Sequence, residues 1–193
     1  KVYEIVPDLE GLKKRIEDFQ GQYNEAHKIG KLDLVLFIDA MKHLMRISRI
    51  LGLARGSALL VGVGGSGKQC LTRLSSFIGG CNTFQITITK HYSAANMLED
   101  LKNLYRQSGF QGKQVVFVFT DAEVKDEGFL EFVNQILSTG EVTGLFPKDE
   151  LDAIVSDCRV PAKKESKDFV DTYDNLYKYF MGRVRDNLHV VLC

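Results

Sequence analysis

The stretch Gly62-Val63-Gly64-Gly65-Ser66-Gly67-Lys68-Gln69-Cys70 has residue types and spacing suited to holding phosphate. It matches the pattern GxxxxGK, in which glycines let successive backbone N–H groups turn inward around phosphate oxygens and the lysine adds a full positive charge. Position 69 departs from the pattern. A serine or threonine hydroxyl there would sit directly on magnesium, which wants hard oxygens in tight octahedral geometry. Gln69 offers a carboxamide oxygen on a longer arm, so metal-assisted hydrolysis is weakened while phosphate cradling is untouched.

Nucleotide chemistry also needs acids at the end of a neighbouring strand, one for the metal and one as a base. The segment VVFVFTDAEVKDE supplies them in an ambiguous register. Aligned on VFVF, Thr120 takes the metal position and Asp121 the base position. Shifted by one, Asp121 takes the metal and Ala122 the base position. Neither register puts a glutamate in the base slot, although Glu123 follows closely enough to swing inward. The catalytic candidates are therefore Asp121 and Glu123, and the candidate Mg2+ ligands are Gln69 and Asp121. The competing reading is that Asp121 and Glu123 only open a helix. Arg183 and Arg185 precede a terminal strand, where solvent or local acids are the expected partners rather than a neighbour's γ-phosphate. His27, His43, His91 and His189 show no ligand spacing, and no metal cluster is expected.

The elements needed to position these groups are visible as patterns. Asp8 caps a helix expected through about Ile29 and closed by Gly30, with Leu9, Leu12, Ile16, Phe19 and Tyr23 at helical spacing. A second helical stretch, LDLVLFIDAMKHLMRISRILG, is expected to be buried in its first part, Leu34 to Ile38. SALLVGV reads as the strand before the glycine loop and KQCLTRLSSFIGG as the helix after it. TFQITIT, a helix capped by Ser93 over SAANMLEDLKNLYRQSG, the strand KQVVFVFTD and the helix GFLEFVNQILSTG repeat the rhythm. Strands apolar at every residue, alternating with helices, predict an α/β fold with a parallel sheet covered on both faces. Between about Val142 and Tyr179 the pattern loosens into an insertion-rich connection with one short helix.

The 193 residues suffice for one well-cored domain, with 45% hydrophobic and 26% charged residues. Twenty-five basic residues balance twenty-five acidic ones, so no nucleic-acid or anionic-membrane footprint is expected. Cys70, Cys81, Cys158 and Cys193 lack paired spacing, which favours free thiols and a cytoplasmic setting. No apolar run reaches the roughly 20 residues of a membrane span. The sequence opens on Lys1 and stops inside the strand pattern LHVVLC, which reads as part of a longer chain.

Five stretches together carry a family resemblance: YNEAHKIGKLDLVLFIDAMKHLMRISRIL, ALLVGVGGSGKQCLTRL, TFQITITKHYSAANMLEDLKNLY, FTDAEVKDEGFLEFVNQILSTGEVTGLF and RVRDNLHVVLC. They resemble the fourth AAA+ module of dynein heavy chains, most closely of the axonemal kind. The resemblance implies a P-loop NTPase (AAA+) parallel sheet flanked by helices, preceded by an N-terminal helical segment, with the helical lid outside this chain. Residues 1–56 would be the helical linker and adenine-pocket segment, and 57–193 the large α/β subdomain. It also implies that Gly62 to Gln69, with Cys70, contact the phosphates of ATP or ADP, that Asp121 faces Mg2+ and water, and that Leu34, Val35, Leu36 and Phe37 line the adenine pocket. The family is a six-module, ATP-driven, minus-end-directed microtubule motor of cilia and flagella, in which this module is regulatory and the main hydrolysis lies elsewhere. The implied partners are neighbouring AAA+ modules, intermediate and light chains, and microtubules through regions outside this chain; the implied location is the cytoskeleton of the axoneme. Two other readings stand beside it, an ordinary active ATPase and a structural spacer with a vestigial pocket. Lys68 and its glycines count against the spacer.

Overall fold

The computed structural model describes residues 5–193. Residues 1–4, part of the linker expected over residues 1–56, lie outside the described residues. Helix α1 (Leu9–Ala26) opens where expected, because the Asp8 carboxylate accepts from the N–H groups of Glu10 and Gly11 at 3.0 and 2.9 Å. It ends before Ile29. His27 stacks on Tyr23 at 4.1 Å and closes the helix with its N–H on the Tyr23 carbonyl, leaving Gly30 in the turn beyond at φ +76°.

Helix α2 (Ile38–Leu51) starts later than the apolar run suggests. Residues 31–37 are extended instead, held to α1 by Asn24, whose side chain accepts from Leu32 N–H at 2.6 Å and donates to Leu32 C=O at 2.8 Å. Extended backbone alternates its side chains. Leu32 and Leu36 are buried, whereas Val35, Phe37 and Ile38 are exposed, so the expected burial of Leu34 to Ile38 holds only for alternate residues.

The sheet has four strands in the order β1-β4-β3-β2, all parallel: β1 (Ala58–Leu59), β2 (Asn82–Gln85), β3 (Val115–Phe119) and β4 (Leu188–Leu192). The α/β expectation is met, and β3 shows why its sequence is apolar at every position. Val115, Phe117 and Phe119 enter one core cluster and Val116 and Val118 the other, so both faces are covered. Helices α1, α2 and α3 (Lys68–Gly79) supply the second cluster through Ile16, Leu44 and Leu74. The first is supplied by α4 (Ala94–Tyr105), α5 (Glu127–Ser138), α6 (Lys148–Asp157), α7 (Arg159–Glu165) and α8 (Tyr173–Asn187).

Four details depart from the sequence reading. Strand β3, expected to neighbour the strand of the glycine loop, is separated from β1 by β4. Strands β1 and β2 are shorter than SALLVGV and TFQITIT. Helix α4 runs into a π-helical turn, Arg106–Phe110, whose Gly109 packs against α8; a Cβ there would lie 2.5 Å from the Phe180 ring. The loosened region holds two further helices. Pro161 is tolerated in the first turn of α7, where N–H groups lack intrahelical partners anyway, and α8 buries Leu176, Phe180, Met181 and Val184. Arg183 and Arg185 precede the last strand as expected, on the final turns of α8.

Candidate phosphate-binding site

The glycine loop leaves the carboxyl end of β1 and turns directly into α3. Gly65 and Gly67 take φ of +76° and +80°, a left-handed conformation costly for residues with a Cβ. Gly67 caps α3 without any side-chain hydrogen bond, so the first-turn N–H groups of Lys68, Gln69 and Cys70 face outward with the positive end of the helix dipole. The Lys68 ammonium folds over the loop and donates to Gly62 O at 2.6 Å, Val63 O at 3.0 Å and Ser66 Oγ at 3.4 Å. The cradle is exposed from Gly62 to Ser66, and a bound polyphosphate would draw the ammonium from neutral carbonyls to charged oxygens.

The acidic end of β3 is built differently. Asp121 to Glu123 form a single 3₁₀ turn, and α5 opens separately on the Asp126 cap. Asp121 is exposed, while Glu123 is buried at 5% and points inward. One carboxylate oxygen of Glu123 accepts from the Thr120 N–H and the other from Gln85 Nε2 at 2.7 Å. Gln85, at the end of β2, also donates to Gln69 Oε1 at 3.4 Å, and its own oxygen accepts from Arg73 Nη2 at 2.6 Å. Because a guanidinium can only donate, Arg73 fixes the amide's orientation and turns its NH2 toward Gln69 and Glu123.

Sequence spacing brings Gly62 to Cys70 together as a unit, and the fold adds Glu123 and Asp121 across the sheet edge. Cys193, at the end of β4, marks the meeting point. Burial pushes its thiol up, the Thr72 hydroxyl and the Lys68 charge pull it down, and Glu123 and Asp121 push it up again. Leu34 reaches the loop, its Cδ2 3.6 Å from where a Cβ on Gly67 would stand. Leu36 lies in the core, and Val35 and Phe37 face outward. Arg183 pairs with Tyr179 and Glu165, and Arg185 with Thr139 and Glu141. No group of three or more His, Cys, Asp or Glu that could hold a metal occurs among the described residues. Mg2+ keeps several waters and takes phosphate oxygens among its ligands, so it does not require such a group.

Gln85, Arg73 and Thr72 were not singled out by sequence. Their only signal is position: Gln85 ends a strand beside the acids, and Thr72 and Arg73 follow Lys68 and Gln69, respectively, by four residues.

Comparison with known proteins places this architecture. A family model described as P-loop containing dynein motor region D4 matches residues 32–193. The chain is 55% identical over all 193 residues to mouse dynein axonemal heavy chain 5 and 51% identical to human dynein axonemal heavy chain 8. It is 54% identical over 191 residues, 99% of its length, to the dynein gamma chain of the flagellar outer arm of Chlamydomonas reinhardtii. It spans 4% of the length of each of these relatives. The loop, the parallel sheet and these matches agree: the chain belongs to the P-loop-containing dynein motor region family.

Proposed function

We propose that the chain is the nucleotide-holding large α/β part of the fourth AAA+ module in the ring of an axonemal dynein heavy chain. Residues 1–56 supply the helical linker and adenine-pocket segment and 57–193 the large subdomain. It holds ATP or ADP with Mg2+, and it regulates a minus-end-directed microtubule motor of cilia and flagella whose main hydrolysis lies in another module. Its partners on this reading are the neighbouring modules, intermediate and light chains, and microtubules through other parts of the heavy chain.

The observation that carries the reading is the uncapped start of α3, which Gln69 links through Gln85 to Glu123 at the acidic end of β3. The loop and Lys68 bind and orient the polyphosphate, Leu34 lies where a base would approach, and Gln69 and Asp121 would hold Mg2+. The ion's chemistry is to neutralise charge on phosphate oxygens. Slow hydrolysis is supported by the bonding of Glu123 and Gln69. Both Glu123 oxygens already accept hydrogen bonds and the Gln69 oxygen is shared with Gln85. The same inward Glu123 favours the second reading, an active ATPase, because it brings a carboxylate into the base region that neither sequence register filled.

The test is to denature purified protein, identify the nucleotide released, and follow phosphate release with added ATP. Bound nucleotide without turnover supports the regulatory reading and turnover supports the active one. No saturable uptake of ATP or ADP with magnesium present rejects both.

A further inference from the structure

Among the described residues β2 is the outer strand of the sheet, paired only with β3. Asn82 N–H donates to Gln114 O on the β3 side, so alternation turns the N–H and C=O groups of Thr83 and Gln85 toward the open edge. Beside this edge lies a cleft of 720 Å³ walled by α1, α3 and the π-helical turn. Tyr23, His27 and Phe77 form an aromatic wall: Tyr23 and His27 stack, and Phe77 meets Tyr23 edge-on at 5.4 Å. Arg73 stands on the same wall, one helical turn before Phe77.

The cleft's charge is one-sided. None of the described residues lining it is Asp or Glu, in a chain with as many acids as bases, and the hydrogen-bond partner of the Arg73 guanidinium is the neutral Gln85 oxygen. An edge strand offering free backbone groups, with an arginine and an aromatic wall one turn apart, matches a segment of known chemistry.

We propose that this edge takes an extended polypeptide segment of a partner protein, which adds a strand beside β2. A carboxylate of that segment meets Arg73, and an apolar or aromatic side chain two residues away, on the same face, lies against Tyr23, His27 and Phe77. An incoming carboxylate is a stronger acceptor than the Gln85 carboxamide. Docking therefore loosens the Arg73 hold on Gln85 and, through it, the restraint on Glu123. That last link rests on the nucleotide reading above; the docking itself does not.

The test uses a fluorescein-labelled peptide, Val-Thr-Phe-Thr-Glu-Thr-Val, titrated into the 193-residue chain by fluorescence anisotropy, with amide chemical shifts mapping the contact. Saturable binding with shifts centred on Thr83 to Gln85 is expected. Replacing the peptide's glutamate by glutamine, or Arg73→Gln in the protein, should each weaken binding about tenfold, the worth of one charge-assisted hydrogen bond. The two changes combined should cost no more than either alone. N-methylation of the peptide amides facing β2 should abolish binding, and this control leaves the protein unaltered should Arg73→Gln fail to fold. Equal binding of the glutamine peptide, shifts elsewhere on the surface, or displacement by a second copy of the chain forming dimers through β2 would each overturn the proposal. Lys68→Ala should leave peptide binding intact, so loss of nucleotide uptake and loss of docking are separable failures.

Discussion

The phosphate loop and the acidic end of β3 meet at one edge of the sheet but are made in opposite ways. The loop is exposed, contiguous in sequence and built from backbone groups plus one lysine. The acidic end turns one carboxylate, Glu123, inward and is assembled from three elements: Gln69 and Arg73 on α3, Gln85 on β2, and Glu123 after β3. A backbone cradle tolerates changes in most of its side chains, because main-chain N–H groups do the holding. A side-chain relay has no such tolerance, since each amide is oriented by the next donor or acceptor.

Lys68→Ala gives the sharpest contrast. It removes the one full charge of the loop, worth about 3 kcal/mol toward a charged oxygen, and nucleotide affinity should fall about 100-fold by calorimetric titration while the melting temperature stays nearly constant. Gln85→Ala should do the reverse. It strips a partner from the buried Glu123, costing about 1–3 kcal/mol in chemical denaturation, with nucleotide affinity retained. Equal effects of the two changes on binding would erase the difference between cradle and relay. Gln69→Thr sharpens it further. A hydroxyl suits Mg2+ better and frees the relay, so phosphate release should speed up by a few-fold while ADP affinity is unchanged.

The smallest effect concerns the root of the loop. His189 on β4 is fully buried and its Nδ1 lies 2.7 Å from the Gly56 carbonyl, which can only accept, so the proton sits on Nδ1. Its Nε2 has no partner among the described residues, and burial holds its pKa below the usual histidine value of about 6.5. The folded protein thus binds this proton less readily than the unfolded chain. Stability is full above about pH 6.5 and falls as pH drops below it, with a slope no steeper than about 1.4 kcal/mol per pH unit. Urea denaturation from pH 7 to 5 should show this slope, and His189→Leu should flatten it.

What was legible in the sequence follows the same division. Gly62 to Lys68, the apolar β3 and the cap at Ser93, whose N–H and hydroxyl both donate to Asn96, are local patterns and appear where expected. The relay is not local. Gln85 and Glu123 are 38 residues apart, and nothing in either neighbourhood names the other. Helix α8 was missed for another reason. Its buried Leu176, Phe180, Met181 and Val184 have helical spacing, but Tyr177, Lys178, Tyr179 and Arg183 between them dilute the apolar signal. The exposed Val35 and Phe37 show the limit of reading burial from an apolar run, since clamping by Asn24 converts an expected helix into extended chain.

One junction in the fold leaves no slack. Helix α8 ends at Asn187 and β4 begins at Leu188, with no residue between them. Adding or deleting a single amino acid there would shift the parity of the strand, sending Leu188 and Val190 into the half of the core built for Val191. Length variation at this point is therefore forbidden by geometry, and related chains should differ in size on either side of the seam rather than at it.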